Sequence, residues 1–405
     1  MTGPAKAKLL RARRGHEHTR VTYVELFFDL VFVFAITQLS HHLLEHLTLE
    51  GLLQTTLMLM AVWWVWIYTS WVTNWLDPDR TPVRLLLFAL MLAGLVLSTS
   101  IPQAFDSRAL TFAGAYVSMQ LGRSVFMLWA LKGHSPANYH NFQRIISWLG
   151  LSALFWIAGA FAQGDTRFAL WVVALLIEYA GPSLRFWTPG LGASTTSDWN
   201  VEGGHLAERC GLFVIIALGE SVLVTGATFA KLAWIPVTMA AFLVAFVGSV
   251  AMWWIYFNIG AERGSRHISA SDDPGAMARL AYTYLHLLLV AGIIVVAVGD
   301  ELVLAHPTGH ADAKTAAVLL GGPALYLVGN LLFKRTSAKH FPLSHLVGLG
   351  LLALLVPAAT VANPLTLSSA TTLVLVVVAI WETRSFTGTR HTHAAHSASP
   401  IEQEG

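Results

Sequence analysis

Glu25 and Asp29 stand four residues apart in VELFFDLVFVFAITQLSHHLLEH, residues 24–46, a run otherwise apolar enough to cross a bilayer. On a helix this spacing puts both carboxylates on one face. Two neighbouring carboxylates in an apolar medium need a fixed cation, a shared proton or a moving ion between them. HLAERCGLFVIIALGESVL, residues 205–223, repeats the theme, with Glu208 at the entry of an apolar run and Glu220 deep inside it, flanked by Gly219 and Ser221. Glu178 lies near the middle of a third run. Glu25, Asp29, Glu208, Glu220 and Glu178 are therefore candidate pathway or ion-binding groups. Arg123, Arg209, His205, His286 and His345 are candidate charge partners at similar depth, with Glu178 a possible mate for Arg123. Gln120 and Asn330 read as interhelical hydrogen-bond formers. A buried ion-pair network that fixes helix packing and a carboxylate-lined ion or proton route both fit this pattern.

Metal and nucleophile chemistry is weakly represented. His42, Glu45 and His46 fit an H-x-x-E-H spacing that puts two histidines on one helical face, and with His41 they are weak candidates for a divalent-cation site. His391, His393 and His396 form a second weak group in the polar tail. The single cysteine, Cys210, lies in an apolar run, so neither a disulfide nor a thiolate zinc cluster can form within the chain. No serine-nucleophile motif, phosphate loop or redox pair is present, and nothing calls for a cofactor. The acidic pair Asp300 and Glu301 is the only hint of a membrane-embedded enzyme.

The elements that must position these groups follow from composition. The 405 residues are 55% hydrophobic and only 12% charged, against about 25% charged in soluble domains, and a net charge of +2 gives no reason to expect nucleic acid as a partner. About 20 apolar residues cross the hydrocarbon core. Such runs fall at 22–43, 53–75, 83–101, 109–131, 144–162, 167–187, 205–229, 232–258, 279–299, 315–333, 341–361 and 366–383. With the N-terminus inside, all of the 25 Lys and Arg residues except Arg108, Arg123, Arg167, Lys231 and Lys314 fall on the cytoplasmic side. This predicts an all-α polytopic membrane protein with about 12 transmembrane helices and both termini cytoplasmic.

The two halves also match. WWVWIY (63–68) pairs with MWWIYF (252–257), LAGLV (92–96) with VAGII (290–294), and LWVVALLIE ending at Glu178 with LVLVVVAIWE ending at Glu382. A six-helix unit is even-numbered, so two copies keep one orientation and form parallel repeats. The expected layout is a basic cytoplasmic arm (1–20), a first six-helix repeat (21–187), a linker (188–204), a second repeat (205–384) and a disordered His-containing tail (385–405).

ELFFDLVFVFAITQLS (25–40) followed by HLAERCGLFVIIALGESVL resembles the bacterial low temperature requirement A (LtrA) family of integral membrane proteins. The resemblance spans residues 20–384. It makes Glu25, Asp29, His205, Glu208, Arg209, Gly219 and Glu220 the motif positions, and it implies a membrane fold and a cold-growth phenotype without a mechanism. RVTYVELFFDLVFVFAIT, from Arg20, loosely resembles the first-helix motif of the lysosomal potassium channels built from six-helix repeats. Phe28 replaces the serine of that motif, and the second half has no Phe-x-Asp. The expected function is a small-ion transporter or channel of the bacterial inner membrane, its candidate partners the lipid bilayer, a small ion and further copies of itself. The alternatives are a non-transporting membrane protein supporting envelope function at low temperature, or a membrane enzyme.

Overall fold

Thr22 precedes the first helix and Glu25 is its third residue. The Glu25 carboxylate accepts hydrogen bonds from the Thr22 N–H and hydroxyl, both at 2.9 Å, so this acid caps the helix it belongs to. The structure is a computed structural model that describes residues 9–11, 20–195, 202–260, 264, 268, 274–337 and 341–397. The rest of the basic arm, part of the linker and the end of the tail lie outside the described residues.

Each expected apolar run coincides with a helix. In chain order these are α1 (Tyr23–Glu45), α2 (Leu49–Trp75), α3 (Thr81–Ser100), α4 (Ala109–Leu131), α5 (Pro136–Phe161), α6 (Gly164–Ser183), α7 (Gly203–Phe229) and α8 (Pro236–Ile255). Then come α9, α10 (Ala313–Ser337), α11 (Leu343–Leu354) and α12 (Pro364–Ser397). A π-helical turn, Tyr256–Gly260, follows α8, and α9 joins Pro274–Met277, a π-helical stretch Ala278–Leu285 and His286–Ala305. Among the described residues there is no β-strand, only the isolated bridges Leu10 to Leu76 and Thr188 to Gly192.

Nine of these helices, among the described residues, are long and apolar enough to cross a membrane. The remaining three differ for local reasons. Gln120 and Arg123 interrupt α4, Asp165, Arg167 and Glu178 interrupt α6, and α11 has only 12 residues because Pro357 follows it closely and a 3-10 turn, Pro357–Thr360, takes over. α5 starts earlier than its apolar run, capped by Ser135 with Pro136 in its first turn. α12 continues past its apolar run to Ser397, into the polar tail.

The helix contacts of the first half recur in the second. α1 packs on α2 and α3, α3 on α4, α4 on α5, α5 on α6, and α6 returns to α2; likewise α7 packs on α8 and α9, α9 on α10, α10 on α11, α11 on α12, and α12 returns to α8. α1 meets α7 between the halves, and α2, with Trp63, Trp64 and Trp66 fully buried, fills the centre. α9 and α10 approach backbone to backbone. A Cβ at Gly292 would lie 2.6 Å from the Tyr326 nitrogen, and one at Gly322 2.9 Å from the Val296 nitrogen, the small-residue contact that lets membrane helices close up.

Candidate functional site

The described part of the basic arm, residues 9–11, lies against the end of α2. Arg11 donates through Nε to the carbonyls of Thr73 (2.8 Å) and Leu76 (3.1 Å), the last turn of α2, and its Nη2 reaches the Glu25 carboxylate at 3.0 Å. Glu202 caps α7 by accepting from the N–H groups of Gly204 and His205 at 2.9 and 2.7 Å. The cap also orients Asn74, whose Oδ1 accepts from the Glu202 N–H while its Nδ2 donates to the Glu202 carbonyl, both at 2.8 Å. With the amide so fixed, Nδ2 donates to His205 Nδ1 at 3.3 Å. His205 Nε2 lies 3.0 Å from Glu25 Oε1 and 3.3 Å from Arg11 Nη2, between the carboxylate and the guanidinium.

One turn deeper, Arg209 stands between the two α1 carboxylates. Its Nη2 donates to Asp29 Oδ1 at 2.8 Å and to the Ser70 hydroxyl at 3.2 Å, while Nη1 lies 3.9 Å from Glu25 Oε1. Trp66 Nε1 also donates to Asp29 Oδ1 at 2.8 Å, and the guanidinium lies 5.7 Å from the centroid of the same indole. Asp29 Oδ2 and Arg209 Nε and Nη1 are buried without a hydrogen-bond partner. The cation expected between the carboxylates is thus Arg209, four residues after His205 on the same helical face.

Above this cluster the α1–α7 seam is aromatic. Phe213 packs on Phe32 (6.4 Å between ring centroids), Trp63 (5.5 Å) and Trp66 (4.2 Å). Glu220 lies beyond this plug, 4% exposed, with Thr37 and His41 of α1 as its polar neighbours and Oε1 without a partner. Eleven residues make about three helical turns, so Arg209 and Glu220 share a face of α7. Glu208 lies on a different face of α7, half-buried, and accepts from the Val21 N–H at 3.3 Å.

The sequence family model described as bacterial low temperature requirement A protein (LtrA) matches residues 20–380. The chain belongs to this family. It is also 44% identical over 370 residues, 90% of each chain, to an uncharacterized protein of Rhizobium meliloti (strain 1021). No solved structure matches. Together with the nine long apolar helices, membership makes this a multi-pass membrane protein. Of the motif positions behind the resemblance, Glu25, Asp29, His205 and Arg209 converge in one cluster, and Glu220 lies further along the same seam.

Glu178 occupies a separate centre. It accepts from the Tyr116 hydroxyl, from Gln120 (3.1 Å), from the Ser152 hydroxyl (2.6 Å) and from Trp156 Nε1 (3.0 Å). The expected direct pairing with Arg123 is replaced by a bridge, because the Gln120 amide donates to Glu178 and accepts from Arg123, which also donates to the Val65 carbonyl and the Thr69 hydroxyl. The second half carries a related centre that the sequence did not single out as a site. Glu382 of α12 pairs with Lys334 of α10 at 2.7 Å and lies 3.5 Å from His345 Nδ1 of α11. α10 carries Tyr326, Asn330 and Lys334 at a spacing close to that of Tyr116, Gln120 and Arg123 on α4, although Asn330 bonds its own helix at the Tyr326 carbonyl.

His286 is held between the Tyr256 hydroxyl and the Ala281 carbonyl, both at 2.8 Å, inside the π-helical region. Among the described residues neither of these partners is a carboxylate, so His286 lies apart from the carboxylate clusters. At the far end of α1, His42 is buried under His46, whereas His41, Glu45 and His46 are exposed. Among the described residues no three His, Cys, Asp or Glu side chains converge as a metal site. The side chains of His391, His393 and His396 lie outside the described residues. Cys210 is buried. The cluster members that sequence reasoning missed are Arg11, Trp66, Ser70, Asn74 and Glu202. Arg11 was counted only as a topology charge, and Trp66 only as part of the repeated WWVWIY.

Proposed function

We propose that the protein is a small-ion transporter or channel of the bacterial inner membrane, moving a proton or cation along the α1–α7 seam. The observation that carries this reading is Glu220, a buried carboxylate with an unpartnered oxygen on the same α7 face as Arg209. An intramembrane carboxylate is costly unless it meets a positive group, and such groups commonly mark ion and proton routes. Glu25, Glu208 and Asp29 form the entry side, Arg209 sets their charge, and the Phe32–Phe213 contact closes the passage between them and Glu220. The recurring helix contacts and the related Glu178 and Glu382 centres support a duplicated six-plus-six arrangement. The Lys and Arg distribution supports twelve spans with both termini cytoplasmic.

A second reading draws on the engagement of Glu25 and Asp29 by Arg11, His205 and Arg209. Fixed pairs of this kind suit a non-transporting membrane protein whose charges hold the helices together in the service of envelope function in the cold. Reconstituting the wild-type protein in liposomes with an internal pH dye, under gradients of protons, sodium, potassium and lithium, separates the two. Transport gives an ion-selective flux above protein-free vesicles. Background leak under every gradient removes the transport reading. Asp29→Asn adds a second discriminant, since a route yields a folded protein without flux whereas structural pairs yield misassembly.

A further inference from the structure

Asp300 lies in the second half, on α9, away from the α1–α7 cluster. It is 6% exposed, its Oδ2 is buried without a hydrogen-bond partner, and among the described residues no Lys, Arg or His pairs with it. The residue lines a cavity of about 20 Å³ between α8, α9, α10 and α12. About 10–15 Å³ of such space holds one water-sized sphere. Three hydroxyl residues of α12, Ser368, Thr371 and Thr372, line the same cavity. Their spacing of three and four residues places them on one helical face. Thr371 donates its own proton to the Ser368 carbonyl at 3.0 Å, which leaves its oxygen lone pairs available.

α10 contributes another oxygen by a backbone device. Pro323 sits inside that helix and has no N–H, so the carbonyl of Leu319, four residues earlier, loses its helical donor. Leu319 and Pro323 both line the cavity. Gly248 of α8 closes the opposite wall, where an added Cβ would come 3.4 Å from the Thr372 hydroxyl. A carboxylate residue, three hydroxyl residues and a residue whose carbonyl lacks its usual helical donor thus line a space the size of one water, with no other titratable side chain in the lining.

We propose that this cavity is a binding site for one dehydrated monovalent cation of sodium size, with Asp300 supplying the charge. The ligands are all oxygen, which suits a hard cation. One carboxylate neutralises one charge, so calcium, which takes six to eight oxygen ligands and usually several carboxylates, is disfavoured, and magnesium keeps several of its waters. Backbone carbonyls freed from their helical donors are a recurring means of holding cations in membrane proteins. The site stands independently of flux through the α1–α7 seam, because none of its lining residues belongs to α1 or α7.

The test is the melting temperature of the purified full chain in detergent at pH 8, measured in sodium, lithium, potassium and choline chloride at equal ionic strength. Sodium is expected to raise the midpoint by a few degrees over choline, saturably, and more than potassium does. Asp300→Asn is expected to abolish the sodium response while melting no lower than wild type in choline, because no ion pair is broken. Ser368→Ala is expected to shift the half-saturating sodium concentration several-fold upward, and it serves as the decisive variant if Asp300→Asn does not fold. Equal melting of the wild type in all four salts, or a sodium response that survives in Asp300→Asn or is unchanged in Ser368→Ala, overturns the proposal.

Discussion

Arg209 touches Asp29 at 2.8 Å and stands 3.9 Å from Glu25, so removing it leaves two buried carboxylates facing each other. Breaking a buried pair by removing one partner costs about 3–5 kcal/mol. Arg209→Met should therefore lower stability by about that amount in thermal unfolding, and adding Asp29→Asn should restore part of it; a double variant no more stable than Arg209→Met would contradict the pairing. Trp66→Phe removes one of the two donors to Asp29 Oδ1 but keeps an aromatic ring. A hydrogen bond to a charged group contributes about 1.5–3 kcal/mol, and a stability loss in that range is expected by the same measurement. The sequence already showed that Glu25 and Asp29 needed a fixed cation, a shared proton or a moving ion, and it offered Arg209 and His205 beside Arg123, His286 and His345 as charge partners. It could not show Arg11, because a basic residue in an N-terminal arm looks the same whether it reads the membrane surface or folds back onto α2. Nor could it show that Gln120 stands between Arg123 and Glu178, since all three positions are compatible with direct pairing by depth alone.

At the scale of the helices, α9 and α10 depend on glycines that no apolar residue can replace. A Cβ at Gly292 would lie 2.6 Å from backbone nitrogen, which side-chain rotation cannot relieve. Gly292→Leu should cost about 3 kcal/mol, the upper end of ordinary overpacking, and would be seen as a lowered melting temperature in detergent. A leucine tolerated there without loss would mean that the two helices are further apart. Phe213 makes the opposite case, since its ring fills the seam between Arg209 and Glu220. Under the transport reading, Phe213→Ala should raise ion leak through reconstituted vesicles, and an unchanged leak would place the passage elsewhere. Apolar runs and their breaks made the helices legible from the sequence. Helix lengths were less so: α11 stops short because Pro357 follows it, and the π-helical turns around Tyr256 and Ala278–Leu285 leave no periodic signal. The Lys334–Glu382 centre was hidden because both residues sit at the ends of their apolar runs, where charges ordinarily report topology.

For the whole molecule, the recurrence of six helix contacts in each half accords with a duplicated bundle whose copies share one orientation. The resulting topology can be checked by labelling, because the single native cysteine, Cys210, is buried. Single cysteines placed at Asp79 and His134 should be shielded from an impermeant thiol reagent in intact cells, whereas those at Glu50, Asp165 and Thr308 should react. Reaction of the first pair would overturn the orientation. α1 packs against α7 between the two halves, and the transport reading rests on the seam between them. The most direct measurement is ion flux in liposomes per incorporated molecule for the wild type and for Glu220→Gln, which keeps the side-chain shape and removes the charge. A route through the seam requires wild-type flux above protein-free vesicles and a loss of at least about tenfold in the variant, equivalent to about 1.4 kcal/mol in the rate-limiting step. Equal flux from the two proteins, both correctly folded, would contradict it.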